Sequence, residues 1–179
     1  KKGDLSTCGF SVAKYGPQER TGPWRPNCGN GVKTDGHRVT GNGPADTSLG
    51  VNPGFVQYWV NYLVNRYGSA GAGGGRYYNL DNEPDIWWST HPDVAPVGLN
   101  YDQLRDRIYQ YAAAIKATDP AAQTLGPVAM GWTYYWHSPW DGQRASGGHS
   151  KCWNAHRSPP MVPWYLQQMK VYEEQNGVR

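Results

Sequence analysis

The 179-residue sequence predicts a parallel α/β fold, in which strands alternate with helices. Three strand candidates, at residues 9–15, 76–82 and 124–132, each precede a helix candidate. The connections that follow helices are short and those that follow strands are long, so the elaborated loops fall on one side of the predicted sheet. In parallel α/β folds this side, at the carboxyl ends of the strands, carries ligands and catalytic groups.

Three helix candidates are indicated by apolar spacing and by end signals. Residues 52–68 begin with a capping Asn and a Pro, finish at a Gly, and have apolar residues four apart. A second helix is expected from about residue 100 to residue 118, with a buried stripe of Leu104, Ile108, Tyr111 and Ile115. A third is expected to start near Pro163 and to end before Gly177.

The composition indicates one domain with a hydrophobic core and long loops rich in aromatic residues. The hydrophobic share is 38%, with 23 Gly, 14 Pro, 9 Trp and 13 Tyr, which is unlike a helical bundle. The net charge of +3 is spread along the chain without the basic cluster that a phosphate backbone requires, so nucleic acid is not an expected partner. No apolar run has the length of a membrane span, and we expect no membrane partner.

The three cysteines, Cys8, Cys28 and Cys152, allow two interpretations. A disulfide between Cys8 and Cys28 would tether the Gly- and Pro-rich loop between them and contribute about 3 kcal/mol. The alternative is three free buried thiols in a cytosolic protein.

The tryptophans are concentrated in the predicted loops. Trp59 and Trp164 fall in predicted helices, where core packing is expected. The other seven fall in loops on the carboxyl side of the strands: Trp24, Trp87, Trp88, Trp132, Trp136, Trp140 and Trp153. Flat apolar rings with a polar edge suit sugar rings or bases, and without a basic stripe the pattern favours sugars.

The segment YYNLDNEPDIWW, at residues 77–88, ends the second predicted strand. Glu83 precedes a proline, which predicts extended backbone at this position. Strict alternation would place Asp81 and Glu83 on one face and Asn82 on the other, so the strand end must bulge or turn if Asn82 and Glu83 serve one site. An isolated Asn-Glu-Pro is a common kind of turn, but its position at a strand end among aromatic residues favours a ligand site. For Asp81 we expect a hydrogen-bonded interior group.

Several segments together resemble glycoside hydrolase family 44, a family of bacterial retaining endo-β-1,4-glucanases that commonly also attack xyloglucan. They are YYNLDNEPDIWWSTHPDV, YDQLRDRIYQYAAAIKATDPAAQTLGPV, GWTYYW, WYLQQMKVYEEQNGVR, SVAKYG and CGNGV. The resemblance implies a (β/α)8 TIM barrel, of which this chain would hold about strands three to five. It also implies a β-sandwich domain built from segments outside this chain. Met130, where we expect an aromatic residue, and Ala95, where a polar residue often precedes the Pro, depart from the pattern.

The resemblance also implies roles for individual residues. Glu83 would be the general acid/base, and Asn82 would bind the sugar beside the cleavage point. The substrate would further contact Trp87, Trp88, Trp132, Tyr134 and Trp136. No residue here matches the nucleophilic glutamate of the family. We therefore expect residues 1–179 to be a partial catalytic domain, truncated at both ends and inactive alone.

A retaining mechanism requires two carboxyl groups about 5 to 5.5 Å apart, and Glu83 must be protonated to help the leaving oxygen depart. A xylanase or mannanase on the same barrel is one alternative. A carbohydrate-binding protein without turnover is another, because it explains the aromatic residues equally well. The expected partner is a β-glucan polysaccharide, and the expected protein is a secreted monomer.

No cofactor is expected, and the histidines predict no metal site. His91, His137, His149 and His156 have spacings that fit no zinc signature. A structural calcium on loop carboxylates such as Asp85, Asp93 or Asp141 is compatible with the sequence, but their spacing does not select it.

Overall fold

The computed structural model describes residues 7–144, 156 and 159–177, which fall into two compact units. The first unit ends at Val51 and also takes in Ser89–Pro96. The second takes in Asn52–Trp88 and the chain from Val97 onward. Cys152, His149 and Trp153 lie outside the described residues.

The first unit contains the short helix α1 (Val12–Tyr15) and a two-stranded antiparallel sheet, β1 (Thr21–Gly22) and β2 (Arg25–Gly29). The strand predicted at residues 9–15 is therefore wrong. The Ser11 side chain accepts a hydrogen bond from the backbone N–H of Lys14 and caps a helix, which competes with strand formation. Only an isolated antiparallel bridge, from Ser11 to Cys28, is left of the predicted strand.

Cys8 and Cys28 form a disulfide in the first unit, with their Cα atoms 5.2 Å apart. Of the two interpretations that the sequence allows for this pair, the structure has the disulfide. The side chain of Gln18 reinforces the same region, because its Oε1 accepts from the N–H of Gly31 at 2.7 Å and its Nε2 donates to the carbonyl of Phe10 at 2.9 Å. The bond and these contacts tie the ends of the Gly- and Pro-rich loop to its base.

The second unit is built on a parallel pair of strands, β3 (Tyr77–Asn79) and β4 (Gln123–Leu125). Tyr77 pairs with Gln123 and Asn79 with Leu125, so the predicted parallel arrangement is confirmed for these two strands. Both strands are shorter than predicted. Pro127, two residues beyond β4, has no N–H to donate, so a regular ladder cannot continue through it.

Helices account for most of the second unit. In chain order the helices after α1 are α2 (Pro53–Tyr67), α3 (Trp87–Thr90), α4 (Tyr101–Thr118), α5 (Pro139–Gln143) and α6 (Met161–Asn176). The last two residues of α3 belong to the first unit. The three long ones confirm the three helix predictions, although α6 begins two residues earlier than expected. Its first turn tolerates Pro163, because the first four N–H groups of a helix have no intrahelical partner.

Side-chain caps explain where α2 and α4 begin. The Asn52 side chain accepts from the N–H of Phe55, as its position before a proline predicts. Asn100 and Gln103 form a reciprocal capping box at the start of α4: each side-chain oxygen accepts from the other residue's backbone N–H, with nitrogen-to-oxygen distances of 2.8 and 3.0 Å. Gly177 follows α6 in the left-handed conformation that glycine adopts without strain.

Two clusters of buried residues form the core of the second unit. One, under α4 and α6, consists of Tyr101, Leu104, Ile108, Met161, Trp164 and Tyr165. The other, between α2, α4 and the strands, consists of Val60, Tyr78, Ile115 and Ala122. Leu104, Ile108, Ile115 and Trp164 are buried as predicted.

Two predictions about the core are wrong. Tyr111 is only half-buried, and Ala114 occupies the buried position beside Ile115 instead. Trp59 is 49% exposed, because Val60, one residue further around α2, faces the core. An edge-to-face contact with Tyr78, at 6.3 Å between ring centroids, connects the Trp59 ring to the core.

Across the described ranges, none of the helices combines the length and the apolar character that crossing a membrane requires.

Candidate active site

The chain turns sharply after β3, and this turn presents Glu83. Asp81 and Glu83 both have left-handed backbone conformations, with φ of 71° and 50°. The extended geometry predicted for Glu83 is therefore wrong. The expectation that the strand end must turn is confirmed, because β3 stops at Asn79 and strict alternation does not reach Glu83. Each such conformation of a non-glycine residue costs about 1–3 kcal/mol and persists only where its surroundings enforce it.

Hydrogen bonds within residues 79–83 enforce the first half of the turn. The Asn79 amide donates to the carbonyl of Asp81 at 2.8 Å. The Asp81 carboxylate accepts from the N–H of Asn82 at 2.8 Å, which confirms the hydrogen-bonded role predicted for it. The predicted interior position is wrong, because Asp81 is exposed on this turn. The N–H of Glu83 then donates to the carbonyl of Val128 at 3.0 Å, across to the segment that follows β4.

Trp87 and Trp88 brace the second half of the turn. The chain from Pro84 to Ile86 forms a 3-10 turn that leads into α3. The Trp87 indole N–H donates to the carbonyl of Asn82 at 2.9 Å, and the Trp88 indole N–H donates to the carbonyl of Asp85 at 3.0 Å. Both side chains are half-buried. Their polar edges are therefore used by the protein, and only their ring faces remain for a ligand.

Glu83 itself is half-buried, and its carboxylate has no hydrogen-bond partner among the described residues. Asn82 is exposed beside it. A carboxyl group held on a fixed backbone, with its oxygens free, can give a proton to a ligand atom or take one from it.

Asp85 lies at the base of the same turn and is only 2% exposed. Both of its carboxylate oxygens lie 3.1 Å from the backbone nitrogen of Met130, whose N–H they accept. Burial raises the pKa of Asp85, the backbone N–H groups of Asp85 and Met130 oppose this increase, and the negative charge of Glu83 adds to it. Asp85 thus connects the Glu83 turn to the segment after β4.

A second aromatic group follows directly along that segment, in the 3-10 turn Trp132–Tyr135. Trp132 is 73% exposed and stacks on Tyr135, with ring centroids 5.8 Å apart. Trp136 meets Trp132 edge to face at 5.6 Å. The exposed rings of Trp132, Tyr135 and Trp136, here called the aromatic cluster, form an apolar surface of the kind that sugar rings stack on.

The sequence predicted a substrate contact at Tyr134, whereas the exposed tyrosine ring of this turn is that of Tyr135. In a 3-10 turn residues three apart lie one above the other, so Trp132 and Tyr135 share a face while Tyr134 points elsewhere. A Cβ added to Gly142 of α5 would lie 2.7 Å from Cε1 of Tyr134, so this ring packs closely on α5. Burial raises the pKa of Tyr134, and the nearby charge of Asp85 raises it further. The i, i+3 spacing of Trp132 and Tyr135 was the signal that could have identified the exposed pair.

The predicted surface of seven loop tryptophans is only partly formed. Trp140 packs against the core cluster under α4, and the Arg144 guanidinium lies 4.0 Å from its ring centroid. Trp24 belongs to the first unit, where it is 92% exposed between β1 and β2. In the second unit the described candidates are therefore Trp87, Trp88, Trp132 and Trp136.

Each of the three carboxylates considered for calcium accepts a hydrogen bond from another group of the protein. Besides Asp85, Asp93 accepts from the Thr47 hydroxyl at 3.1 Å, and the buried Asp141 accepts from the Ser138 hydroxyl at 2.9 Å. In the portion of the chain that the structure describes, no three His, Cys, Asp or Glu side chains are grouped as a metal site would require.

Comparison with known proteins identifies the family. The model of glycoside hydrolase family 44 matches residues 2–179. Among solved structures, the chain is similar to CelM2, a bifunctional glucanase-xylanase from a metagenome library, at 44% identity and a TM-score of 0.90, over 96% of this chain and 34% of that one. It is also similar to a Paenibacillus polymyxa xyloglucanase of family 44, determined with xyloglucan, at 34% identity and a TM-score of 0.56, over 69% of this chain and 23% of that one.

Two curated relatives agree. Endoglucanase A of Paenibacillus lautus is 31% identical over 183 residues, which cover 100% of this chain and 25% of the relative. The beta-mannanase/endoglucanase A of Caldicellulosiruptor saccharolyticus is 33% identical over 144 residues, which cover 75% of this chain and 10% of the relative. The chain thus spans a quarter or less of these relatives and about a third of CelM2. Its fold is that of a glycoside hydrolase, and the chain belongs to glycoside hydrolase family 44.

Proposed function

We propose that this chain is part of the catalytic domain of a retaining endo-β-1,4-glucanase, a cellulase or xyloglucanase, with Glu83 as its general acid/base. The observation that carries the proposal is the Glu83 turn: a half-buried carboxyl group, free of hydrogen bonds to described residues, on a backbone that several hydrogen bonds hold in place. Family relatives named endoglucanase and xyloglucanase support it.

The same proposal gives the architecture. The unit β3–α4–β4 is two parallel strands joined by a helix, the repeating element of a (β/α)8 barrel. We infer that the second unit supplies about strands three to five of such a barrel. Glu83 and the aromatic cluster both follow the carboxyl ends of their strands, which is where barrel enzymes carry their active sites.

In the proposed reaction Glu83 first acts as an acid. Its carboxyl proton passes to the glycosidic oxygen while the bond from that oxygen to the anomeric carbon breaks, and a carboxylate outside these 179 residues forms the covalent glycosyl-enzyme. The Glu83 carboxylate then takes a proton from water, whose oxygen attacks the anomeric carbon and releases the nucleophile. Glu83 ends protonated, ready for the next cycle.

Substrate contacts would come from ring faces and one amide. Asn82, exposed beside Glu83, has both a donor and an acceptor for sugar hydroxyls. Trp87 and Trp88 offer only faces, because their N–H groups are bonded within the turn. The aromatic cluster supplies a second stacking surface, whereas Tyr134 would contribute by holding the segment against α5.

Glu83→Gln in the full-length protein tests the assignment. The Gln side chain keeps the size of Glu and leaves the backbone hydrogen bond to Val128 intact, but it cannot protonate a leaving group. We expect turnover of cello-oligosaccharides to fall by about 10²- to 10⁴-fold, the usual contribution of a general acid. Aryl cellobiosides whose leaving groups need no proton should lose much less. Wild-type turnover of β-1,4-glucan by this variant would refute the role of Glu83.

Two other functions have support of their own. CelM2 is named a glucanase-xylanase and one curated relative a beta-mannanase/endoglucanase, so xylan or mannan is a second candidate substrate. Product analysis on glucan, xyloglucan, xylan and mannan separates these substrates. A non-catalytic carbohydrate-binding protein would bind the same polysaccharides with no reducing ends released by the wild type.

We also propose that the protein is secreted and acts as a monomer without a cofactor. The Cys8–Cys28 disulfide supports secretion, because such bonds persist in oxidising compartments. An intact-mass measurement with and without reductant tests the disulfide, and size-exclusion chromatography tests the monomeric state. A reduced Cys8–Cys28 pair in freshly isolated protein would contradict the localisation.

A further inference from the structure

The Glu83 turn and the segment after β4 are held in backbone conformations that their residues do not prefer. Glu83 has a φ of 50°, and Val128, a β-branched residue, has a φ of 31°. The two residues are bonded to each other through the N–H of Glu83 and the carbonyl of Val128. Because both conformations are unfavourable, this contact needs support from outside itself.

Asp85 is placed to give that support. It lies two residues after Glu83, and its carboxylate accepts from Met130, two residues after Val128. The Glu83–Val128 and Met130–Asp85 hydrogen bonds therefore join the same two segments at neighbouring points. The Met130–Asp85 contact is here called the clip. Asp85 is only 2% exposed, so water competes little for this hydrogen bond.

The direction of the Glu83 side chain depends on this clip. In a left-handed turn a small change in φ and ψ rotates the Cα–Cβ bond, and with it a carboxyl group that no described side chain holds by a hydrogen bond. Displacement of a catalytic group by about 1 Å can cost about 100-fold in rate. The clip thus bears on chemistry as well as on stability.

We propose that Asp85 is a positioning residue for the acid/base step: its buried carboxylate binds the N–H of Met130, holds the Glu83 turn against the segment after β4, and so aims the Glu83 carboxyl group. This inference rests on the proposed function, because it assigns Glu83 the acid role. Asp85 itself contacts no substrate in this scheme.

The test compares Asp85→Ala with a matched variant, Asp119→Ala, in the full-length protein. Asp119 is also 2% exposed, and its carboxylate also accepts from one distant backbone N–H, that of Ala70 at 2.7 Å. It lies between α4 and β4, at the opposite end of the strand from the Glu83 turn. Both variants remove a buried acceptor, but only one removes the clip.

The readout is the ratio of kcat/KM for an aryl cellobioside with a poor leaving group to that for one with a good leaving group. This ratio does not depend on how much of the sample is folded. We expect D85A to lower this ratio by about 10- to 100-fold, because a displaced Glu83 carboxyl group slows the reaction of the substrate whose leaving group needs a proton. D119A should leave it unchanged. D85N should largely restore it, since the amide oxygen can still accept from Met130.

Equal losses on both aryl cellobiosides in D85A would overturn the inference and leave Asp85 a purely structural residue. If D85A does not fold, D85E serves instead: it displaces the carboxylate by one methylene and must lower the ratio, while D85N must not. The proposed function fails in a different way, through a Glu83→Gln variant whose ratio equals that of the wild type. The two failures are therefore distinguishable.

Discussion

Removing one buried hydroxyl group should measurably destabilise the second unit. Tyr101 is fully buried at the start of α4, and its hydroxyl lies 3.1 Å from the carbonyl of Trp136 and 3.1 Å from that of Pro159. Tyr101→Phe keeps the ring, which stacks on His156 at 5.1 Å and tilts against Trp164 at 5.1 Å, so little cavity results. The loss is therefore that of a hydrogen bond and not of packing.

The loss in the free energy of unfolding depends on which carbonyl is left without a donor. The hydroxyl has one proton for two carbonyls, and the carbonyl of Trp136 also accepts from the N–H of Met161 at 3.3 Å. The carbonyl of Pro159, a half-buried residue, thus loses its donor, which costs about 1–3 kcal/mol. The unfolding equilibrium should shift by about 10-fold or more, since about 1.4 kcal/mol corresponds to a factor of ten.

Urea unfolding followed by tryptophan fluorescence measures this shift, with Tyr58→Phe as the control. Tyr58 is 72% exposed on α2, and removal of its hydroxyl should change the free energy of unfolding by less than about 0.5 kcal/mol. If Y101F and Y58F unfold at the same urea concentration, the Tyr101 hydroxyl does not bond these carbonyls and the account of the α4–α6 core is wrong.

Two further predictions concern a glycine and a titration. A Cβ at Gly98 would lie 2.8 Å from the backbone nitrogen of Trp140 and closer still to the Pro139 carbonyl group, so Gly98→Ala should cost at least about 1–3 kcal/mol in the free energy of unfolding. The matched Gly131→Ala has nothing within 4 Å of its Cβ and an extended backbone, so equal effects in thermal unfolding would contradict the packing of α5. The pKa of Asp85 is raised above its ordinary value of 3.8, so its contribution to stability is fully present below that pH and is lost as the pH rises through the raised pKa. Wild type should therefore lose stability relative to D85N as the pH rises from about 3.5 to neutrality, and parallel curves of unfolding midpoint against pH would show that Asp85 does not titrate this way.

The helices were predictable because their signals are local. The Asn52 cap and the glycines after α2 and α6 act within one turn of the chain, and the structure uses each as the sequence indicates. The parallel strands were predictable for the same reason, through the helix between them. Local signals also explain the failure at residues 9–15, where the strand-like pattern competed with a helix cap at Ser11 that could form from the same residues.

The geometry around Glu83 was not predictable, because it is set by groups distant in sequence. The rule for residues that precede proline favours extended backbone, yet Glu83 is left-handed. Its N–H finds an acceptor in Val128, and the neighbouring Asp85 accepts from Met130, both more than 40 residues away along the chain. In the sequence Asp85 is one loop carboxylate among several. Its burial in the structure shows that its carboxylate binds groups of the protein itself. A local rule gives the free-energy cost of such a turn, whereas the contacts that offset this cost come from the segment after β4. That is why the sequence pointed to Glu83 while the residue proposed to aim it became recognisable only in the fold.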